Sequence, residues 1–336
     1  MQGPTSPTES PGKAKRFLTA KYVFDGKSLL EGSVLVLTGD EVEGIEPLQC
    51  QSGIEDLGEE TVLTCGMIDL QMNGGGGRQF NEEISTETLE AMRNVCLRHG
   101  TIGFLPSMLT SSFEDMRKSL ETVKIWVKEH GLGRGVLGIH LEGPFISQAK
   151  KGIHVEGLLQ EATQEKIEVI ADYAGHFPIL LTVAPEKVSP EQVKYLASKG
   201  VVVSVGHSNA SYEEAKNCFD AGATAVTHLY NAMSGLTGRD PGVIGAVLNN
   251  PTCFVGIIPD LHHVHPANIE IAAKLKPDHL VFVTDCHSPV GTDITEFKLN
   301  GRQMFVRDRK CVDASGSLSG SFLLMNEAIQ NAVKSC

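Results

Sequence analysis

Four polar side chains in this sequence each follow directly on an apolar run, and their types belong together chemically. Glu142 stands in Leu141-Glu142-Gly143-Pro144, His207 in Gly206-His207-Ser208-Asn209-Ala210, His228 in Thr227-His228-Leu229-Tyr230-Asn231-Ala232-Met233, and Asp285 in Val283-Thr284-Asp285. One carboxylate and two imidazoles suit a catalytic Zn²⁺ with one coordination position left for water. Asp285 then remains free to carry a proton. Taken singly, a histidine or glutamate at such a place is more often hydrogen-bonded structure than a ligand. Four of them at the ends of four different runs carry more weight. His140 lies two residues before Glu142, on the same face of an extended strand, and reads as a core or ligand-orienting histidine.

These residues meet only if the runs that end in them are neighbouring strands. From Gly66 onward, apolar runs alternate with segments of helical period, the pattern of a parallel sheet wrapped by crossover helices. Eight runs read as strands: 67–70, 102–105, 136–141, 179–183, 201–205, 223–227, 254–258 and 280–284. Eight such units predict an α/β fold of the (β/α)₈ TIM-barrel type, in which reactive groups sit at the C-terminal strand ends. Helices are expected over Ser85–His99, Ser112–His130, Thr163–Ala174 and Tyr212–Ala221, most with a capping hydroxyl near the start. After the eighth strand, 296–312 reads as a hairpin turned by Asn300-Gly301, followed by a helix over 323–333.

Upstream, residues 17–64 hold short apolar stretches broken by Asp-Gly and Gly-Asp turns, the mark of a small β domain. Residues 1–16 are Pro/Ser/Thr/Lys-rich and read as a disordered leader. The barrel is assigned to 65–336.

The 336 residues carry 29 Lys+Arg against 41 Asp+Glu, a formal charge of -12 that offers no general footprint for nucleic acid, so a phosphate site must be local. No apolar run approaches the roughly 18 to 20 residues that span a bilayer, and the polar start lacks a signal core. A cytoplasmic protein is expected. The eight cysteines form no Cys-x-x-Cys pair and read as reduced, mostly buried thiols.

The motifs resemble those of the N-acetylglucosamine-6-phosphate deacetylases of the amidohydrolase superfamily. The likeness runs through Gly66-Met67-Ile68-Asp69-Leu70-Gln71-Met72-Asn73, Leu141-Glu142-Gly143-Pro144-Phe145, Lys150-Lys151-Gly152-Ile153-His154, the His207, His228 and Asp285 motifs, Thr237-Gly238-Arg239-Asp240-Pro241-Gly242 and Leu318-Ser319-Gly320-Ser321. It implies that Glu142, His207 and His228 hold one divalent ion per subunit, Zn²⁺ by preference, and that Asp285 is the acid/base. Gln71-Met72-Asn73 stands where many amidohydrolases have a His-x-His pair, which implies a single-metal site. His154 is implied to contact the sugar and steady the reacting centre, with Asn231, Ala232, His263 and Leu318 also on the substrate. Arg239 is implied to reach the phosphate across a homodimer interface, its planar fork matching phosphate oxygens.

This chain departs from the family around His263. It has Leu261 where the family has glycine, adds imidazoles at His262 and His265, and follows Asp285 with Cys286-His287-Ser288-Pro289 in place of small residues. Family members also continue several dozen residues past the position of Cys336, so the small β domain, a β-sandwich in the family, is expected to be incomplete. Two further readings stand beside the deacetylase: a truncated, non-catalytic or unstable form that at most binds sugar phosphate, and an amidohydrolase of cyclic amides or nucleobases.

Overall fold

The computed structural model describes residues 14–49 and 51–335, and the chain divides into two compact units, 1–66 and 67–336. Most of the expected leader, residues 1–13, lies outside the described residues.

The first unit holds β1 (Lys15–Thr19), β2 (Tyr22–Phe24), β3 (Leu29–Glu31), β4 (Ser33–Thr38), β5 (Glu41–Pro47), β6 (Ile54–Asp56) and β7 (Val62–Leu63). They form two small sheets, in the orders β5-β4-β1-β6 and β3-β2-β7. β1 takes in Lys15 and Arg16, which composition had assigned to the leader, because they pair with Thr38 and Leu37 of β4. Alternation along β4 buries Val34 and Val36, the period-two pattern of a strand with one covered face.

In the second unit the eight expected strands are all present. β8 (Met67–Met72) is followed by a short hairpin, β9 (Gly74–Gly75) and β10 (Arg78–Gln79), and then by β11 (Thr101–Leu109), β12 (Ile139–Glu142), β13 (Ile179–Val183), β14 (Val202–Val205), β15 (Ala225–Val226), β16 (Phe254–Ile257) and β17 (Leu280–Phe282). β8 and β11 to β17 lie in one parallel sheet in chain order. A parallel bridge between Met72 and Cys286 closes it, with Asp285 N donating to Gln71 O at 2.8 Å and Asn73 N donating to Cys286 O at 2.9 Å. The fold is the expected (β/α)₈ barrel.

The third strand starts at Ile139 rather than at Val136. Gly138, at φ +152°, breaks the run, and a Cβ there would stand 2.1 Å from Pro178 O. The sixth shrinks to Ala225–Val226 because the chain turns at once into the His228 loop.

Helices α1 (Thr86–Arg98), α2 (Phe113–His130), α3 (Gln164–Tyr173), α4 (Pro190–Ser198), α5 (Tyr212–Asp220), α6 (Gly242–Asn249) and α7 (Pro266–Leu275) wrap the barrel. Their starts follow the sequence signals: the Ser85 and Ser112 side chains accept from Thr88 N and Asp115 N, and Ser189/Gln192 and Ser211/Glu214 form reciprocal capping boxes. Among the described residues, no helix is long and apolar enough to cross a membrane.

The expected hairpin is part of a larger sheet, in which β18 (Glu296–Leu299) and β19 (Arg302–Arg307) are joined by β20 (Lys310–Asp313) and β21 (Leu318–Ser321). The last helix, α8 (Met325–Ser335), begins two residues later than the periodicity predicts. Leu323 stays outside it, its N–H donating to Ser321 Oγ at 3.1 Å.

Candidate active site

The strands deliver their polar ends to one place. β12 ends at Glu142, whose backbone pairs with Leu109 of β11 on one side and Thr182 of β13 on the other. His207 and His228 stand just beyond β14 and β15, and Asp285 beyond β17. All three have left-handed backbones, at φ 48°, 31° and 52°. A non-glycine residue there costs about 1–2 kcal/mol, and such strain gathers at functional sites, where the surrounding structure enforces it. Gly206 gives His207 its approach, since a Cβ at that position would lie 2.9 Å from both Thr182 and Thr227.

Three imidazoles converge on one carboxylate oxygen. Glu142 Oε1 is 2.9 Å from His207 Nε2, 3.0 Å from His228 Nε2 and 3.9 Å from His154 Nε2. The two nearer nitrogens are 3.1 Å apart. On distance alone, Glu142, His154 and His207, within 4.8 Å of one another, form a possible metal-binding group, as Glu142, His207 and His228 do.

Tautomers separate the two sets. His207 Nδ1 lies 2.9 Å from Lys150 O, a carbonyl that can only accept, so the proton sits on Nδ1 and Nε2 presents a lone pair to Glu142. Two acceptors facing each other at 2.9 Å need a positive charge between them, either a proton or a metal ion. His154 is the reverse: its Nδ1 accepts from Thr110 N at 3.2 Å, so the neutral ring carries its proton on Nε2 and is a donor at the cavity. That Nε2 is buried without a hydrogen-bond partner among the described residues. The donor set therefore fits a cation held by Glu142, His207 and His228, at separations a few tenths of an ångström below the roughly 3.3 Å expected between tetrahedral ligands.

Electrostatics follow the same geometry. Burial alone would raise Glu142, but the three imidazoles beside it, His154, His207 and His228, outweigh burial and hold the carboxyl well below its ordinary range. Burial alone would lower His228, yet the hydrogen bond and charge of Glu142, with Asp285 beyond, raise it. His154 is pushed down to about 4 by burial and then by the neighbouring His207. Asp285 is pushed up to about 6 by burial and by the charge of Glu142. Its Oδ1 accepts from Asn73 Nδ2 at 2.7 Å and Gln71 Nε2 at 3.1 Å, and the same Gln71 nitrogen reaches Glu142 Oε2 at 3.2 Å. One amide thus ties the two carboxylates together.

The cavity above this cluster holds about 390 Å³. Of the residues picked from the sequence, Glu142, His154, His207, His228, Asn231, Ala232, His263, Asp285 and Leu318 line it. Arg239 does not: it is exposed and outside the lining. Of the three neighbouring imidazoles, His262 and His263 reach the cavity, whereas His265 caps α7, its Nδ1 accepting from Ala267 N at 3.2 Å. His263 is steadied by Asp260, Nδ1 to Oδ2 at 2.6 Å. Leu261 has a left-handed backbone, at φ 65°, a conformation that glycine adopts without strain. His140 is a core histidine, bonded by Ser107 Oγ and Thr182 Oγ1 at 2.8 Å each and pushed down to about 4 by burial.

Sequence reasoning treated Gln71 and Asn73 as a missing metal pair and gave them no role of their own. Both in fact carry amide donors aimed at Asp285. Their spacing of two, which puts both on one strand face, was the available signal. His287 and Ser319 stand in stretches named from the sequence, Cys286-His287-Ser288-Pro289 and Leu318-Ser319-Gly320-Ser321, but without a role, and Gln79 has no signal that periodicity would show.

No family model matches the chain. It is 35% identical to the N-acetylglucosamine-6-phosphate deacetylase of Haemophilus influenzae over 93% of this chain and 82% of that one. It is 39% identical to the N-acetylgalactosamine-6-phosphate deacetylase of a Shewanella species, over 80% of this chain and 68% of that one. A crystal structure of N-acetylglucosamine-6-phosphate deacetylase from Pasteurella multocida superposes with a TM-score of 0.91 at 37% identity, covering 96% of this chain and 84% of the other.

Proposed function

The chain belongs to the N-acetylglucosamine-6-phosphate deacetylases, hydrolases with the amidohydrolase fold, and from that premise we propose that it hydrolyses N-acetyl-D-glucosamine 6-phosphate to D-glucosamine 6-phosphate and acetate. The observation that carries the reading is the convergence of His207, His228 and Glu142 at 2.9 to 3.1 Å, with Asp285 one amide away. The relatives' names span both C4 epimers of the sugar, and the gluco form is taken as the substrate.

Glu142, His207 and His228 would hold a single divalent ion, read as Zn²⁺, which when bound supplies Lewis acidity to polarise the acetamide carbonyl and acidify water. Asp285, poised near neutrality, takes the proton of the attacking water as general base. His154 Nε2–H donates to the carbonyl oxygen as negative charge builds on it, the kind of contact that matters most in the transition state. Protonated Asp285 then returns its proton to the departing amine. Asn73 and Gln71 hold the Asp285 carboxylate in place through that exchange. At the far end of the sugar, His263 and the backbone of Asn231 and Ala232 face the phosphate. Arg239 of the partner subunit supplies the remaining charge in a homodimer, consistent with its place outside the cavity of its own chain. The cytoplasm is the proposed compartment.

Elemental analysis of the purified chain alongside an acetate-release assay tests the proposal. About one metal ion per chain with stoichiometric acetate supports it; a folded, metal-loaded chain that releases none overturns it.

A further inference from the structure

Two buried polar atoms on one wall of the cavity take no part in the chemistry above. His287, two residues beyond Asp285, is 1% exposed, and Ser319 on β21 is 3% exposed; both line the cavity. The tautomer of His287 is fixed from behind. Gln79 Nε2 donates to Asn73 O at 3.1 Å and Gln79 Oε1 accepts from Ser288 N at 3.0 Å, which orients the amide. The same Nε2 therefore faces His287 Nδ1, at 3.1 Å, as a donor, and the neutral ring carries its proton on Nε2. Among the described residues neither His287 Nε2 nor Ser319 Oγ has a hydrogen-bond partner. The Ser319 carbonyl is near enough to favour the charged ring without meeting hydrogen-bond geometry at Nε2. Gly320 leaves room for the imidazole, since a Cβ there would fall 2.3 Å from His287 Nε2.

Resting on the deacetylase reading above, we propose that His287 Nε2–H and Ser319 Oγ form a subsite for the C4 hydroxyl of the sugar and decide which hexosamine epimer is accepted. A hydroxyl accepts from one partner and donates to another in a single atom, which matches an N–H beside an Oγ. An anion is disfavoured on this wall because the charge of Glu142 is felt at His287; the phosphate is placed elsewhere, with His263, Asn231 and Ala232. An apolar group would leave both atoms unsatisfied, the situation in which a polar site rejects a ligand lacking the matching group. The ring is braced for the task, packed 5.3 Å from Phe297 between ring centres.

The test compares kcat/KM for acetate release by the metal-replete wild type, His287→Phe and Ser319→Ala on the two C4 epimers and on the 3-deoxy and 4-deoxy analogues. The wild type is expected to favour one epimer by at least about tenfold and to lose a similar factor on the 4-deoxy analogue alone. His287→Phe should bring the epimer ratio towards one, and Ser319→Ala should move it the same way by less. Equal rates on both epimers in the wild type overturn the proposal. So does a ratio unchanged in both variants while all rates fall together, or a loss confined to the 3-deoxy analogue. A wild type that turns over neither epimer sinks the deacetylase reading instead. The subsite is then read from dissociation constants of the same sugars by calorimetry, with the same ratios deciding.

Discussion

The two ends of the barrel are built from the same eight strands and have opposite character. At the C-terminal mouth, strands end in Glu142, His207, His228 and Asp285, three of them on left-handed backbone. At the other end, Leu70, Leu180, Val202, Phe254 and Val281 help line an apolar cavity of about 190 Å³, and Ile68 and Ile102 are half exposed. Between them runs a belt of hydroxyls around His140: Ser107, Thr182, Thr227 and Ser204, linked at 2.7 to 2.8 Å. Among the described residues the belt satisfies every polar group it contains, while the mouth leaves His154 Nε2, His287 Nε2 and Ser319 Oγ without partners. Unsatisfied buried groups cost about 1–3 kcal/mol each, so stability is gained at the floor and given up at the mouth, where a ligand can recover it.

If that division holds, substitutions at the mouth change rates and those at the floor change melting. The largest effect belongs to Asp285→Asn, expected to lower kcat/KM by about 10³-fold or more while elemental analysis still finds the metal. His154→Phe removes the Nε2–H donor and should cost about 10²–10³-fold in kcat, with little change in KM. Away from the mouth, fully buried Leu181 replaced by alanine should lose about 2–5 kcal/mol in denaturant unfolding and keep its kcat/KM within a few-fold under folding conditions. A rate collapse without unfolding would break the comparison.

Acidity sharpens it further. The base proposed for Asp285 works only when ionised, and its pKa is raised to about 6. Activity should therefore fall about tenfold per pH unit below that value, with a bound cation moving the limb to lower pH. The Asn73 hydrogen bond favours the charged form, so Asn73→Ala should shift the acid limb of the kcat/KM profile upward. A limb that stays in place would remove Asp285 as its source. The smallest expected change is Leu261→Gly, which relieves a left-handed leucine at φ 65° but frees the unfolded chain. The net gain should stay under about 1 kcal/mol in a thermal melt.

Much of this was legible in the sequence because periodicity reports on burial. Runs such as 179–183 fixed β13 to the residue, and Ser85 and Ser112 marked helix starts by chemistry that acts within one turn. The mouth was legible only in part. Glu142, His207, His228 and Asp285 stand out because charge interrupts an apolar run. Their partners do not: Gln79 meets His287 across 208 positions and Asn73 meets Asp285 across 212. Strand lengths erred where single residues redirect the chain, as at Gly138, and the hairpin after the eighth strand grew into a sheet because β20 and β21 lack clear alternation.

The seam between Met72 and Cys286 has a temporal meaning as well as a spatial one. It joins the first and last staves of the barrel, a contact whose long loop must be closed against entropy before it returns anything. Gln71 and Asn73 meet Asp285 only when that seam shuts, so an oriented proton carrier requires the closed cylinder. Catalytic onset during refolding would then serve as a clock for circular closure.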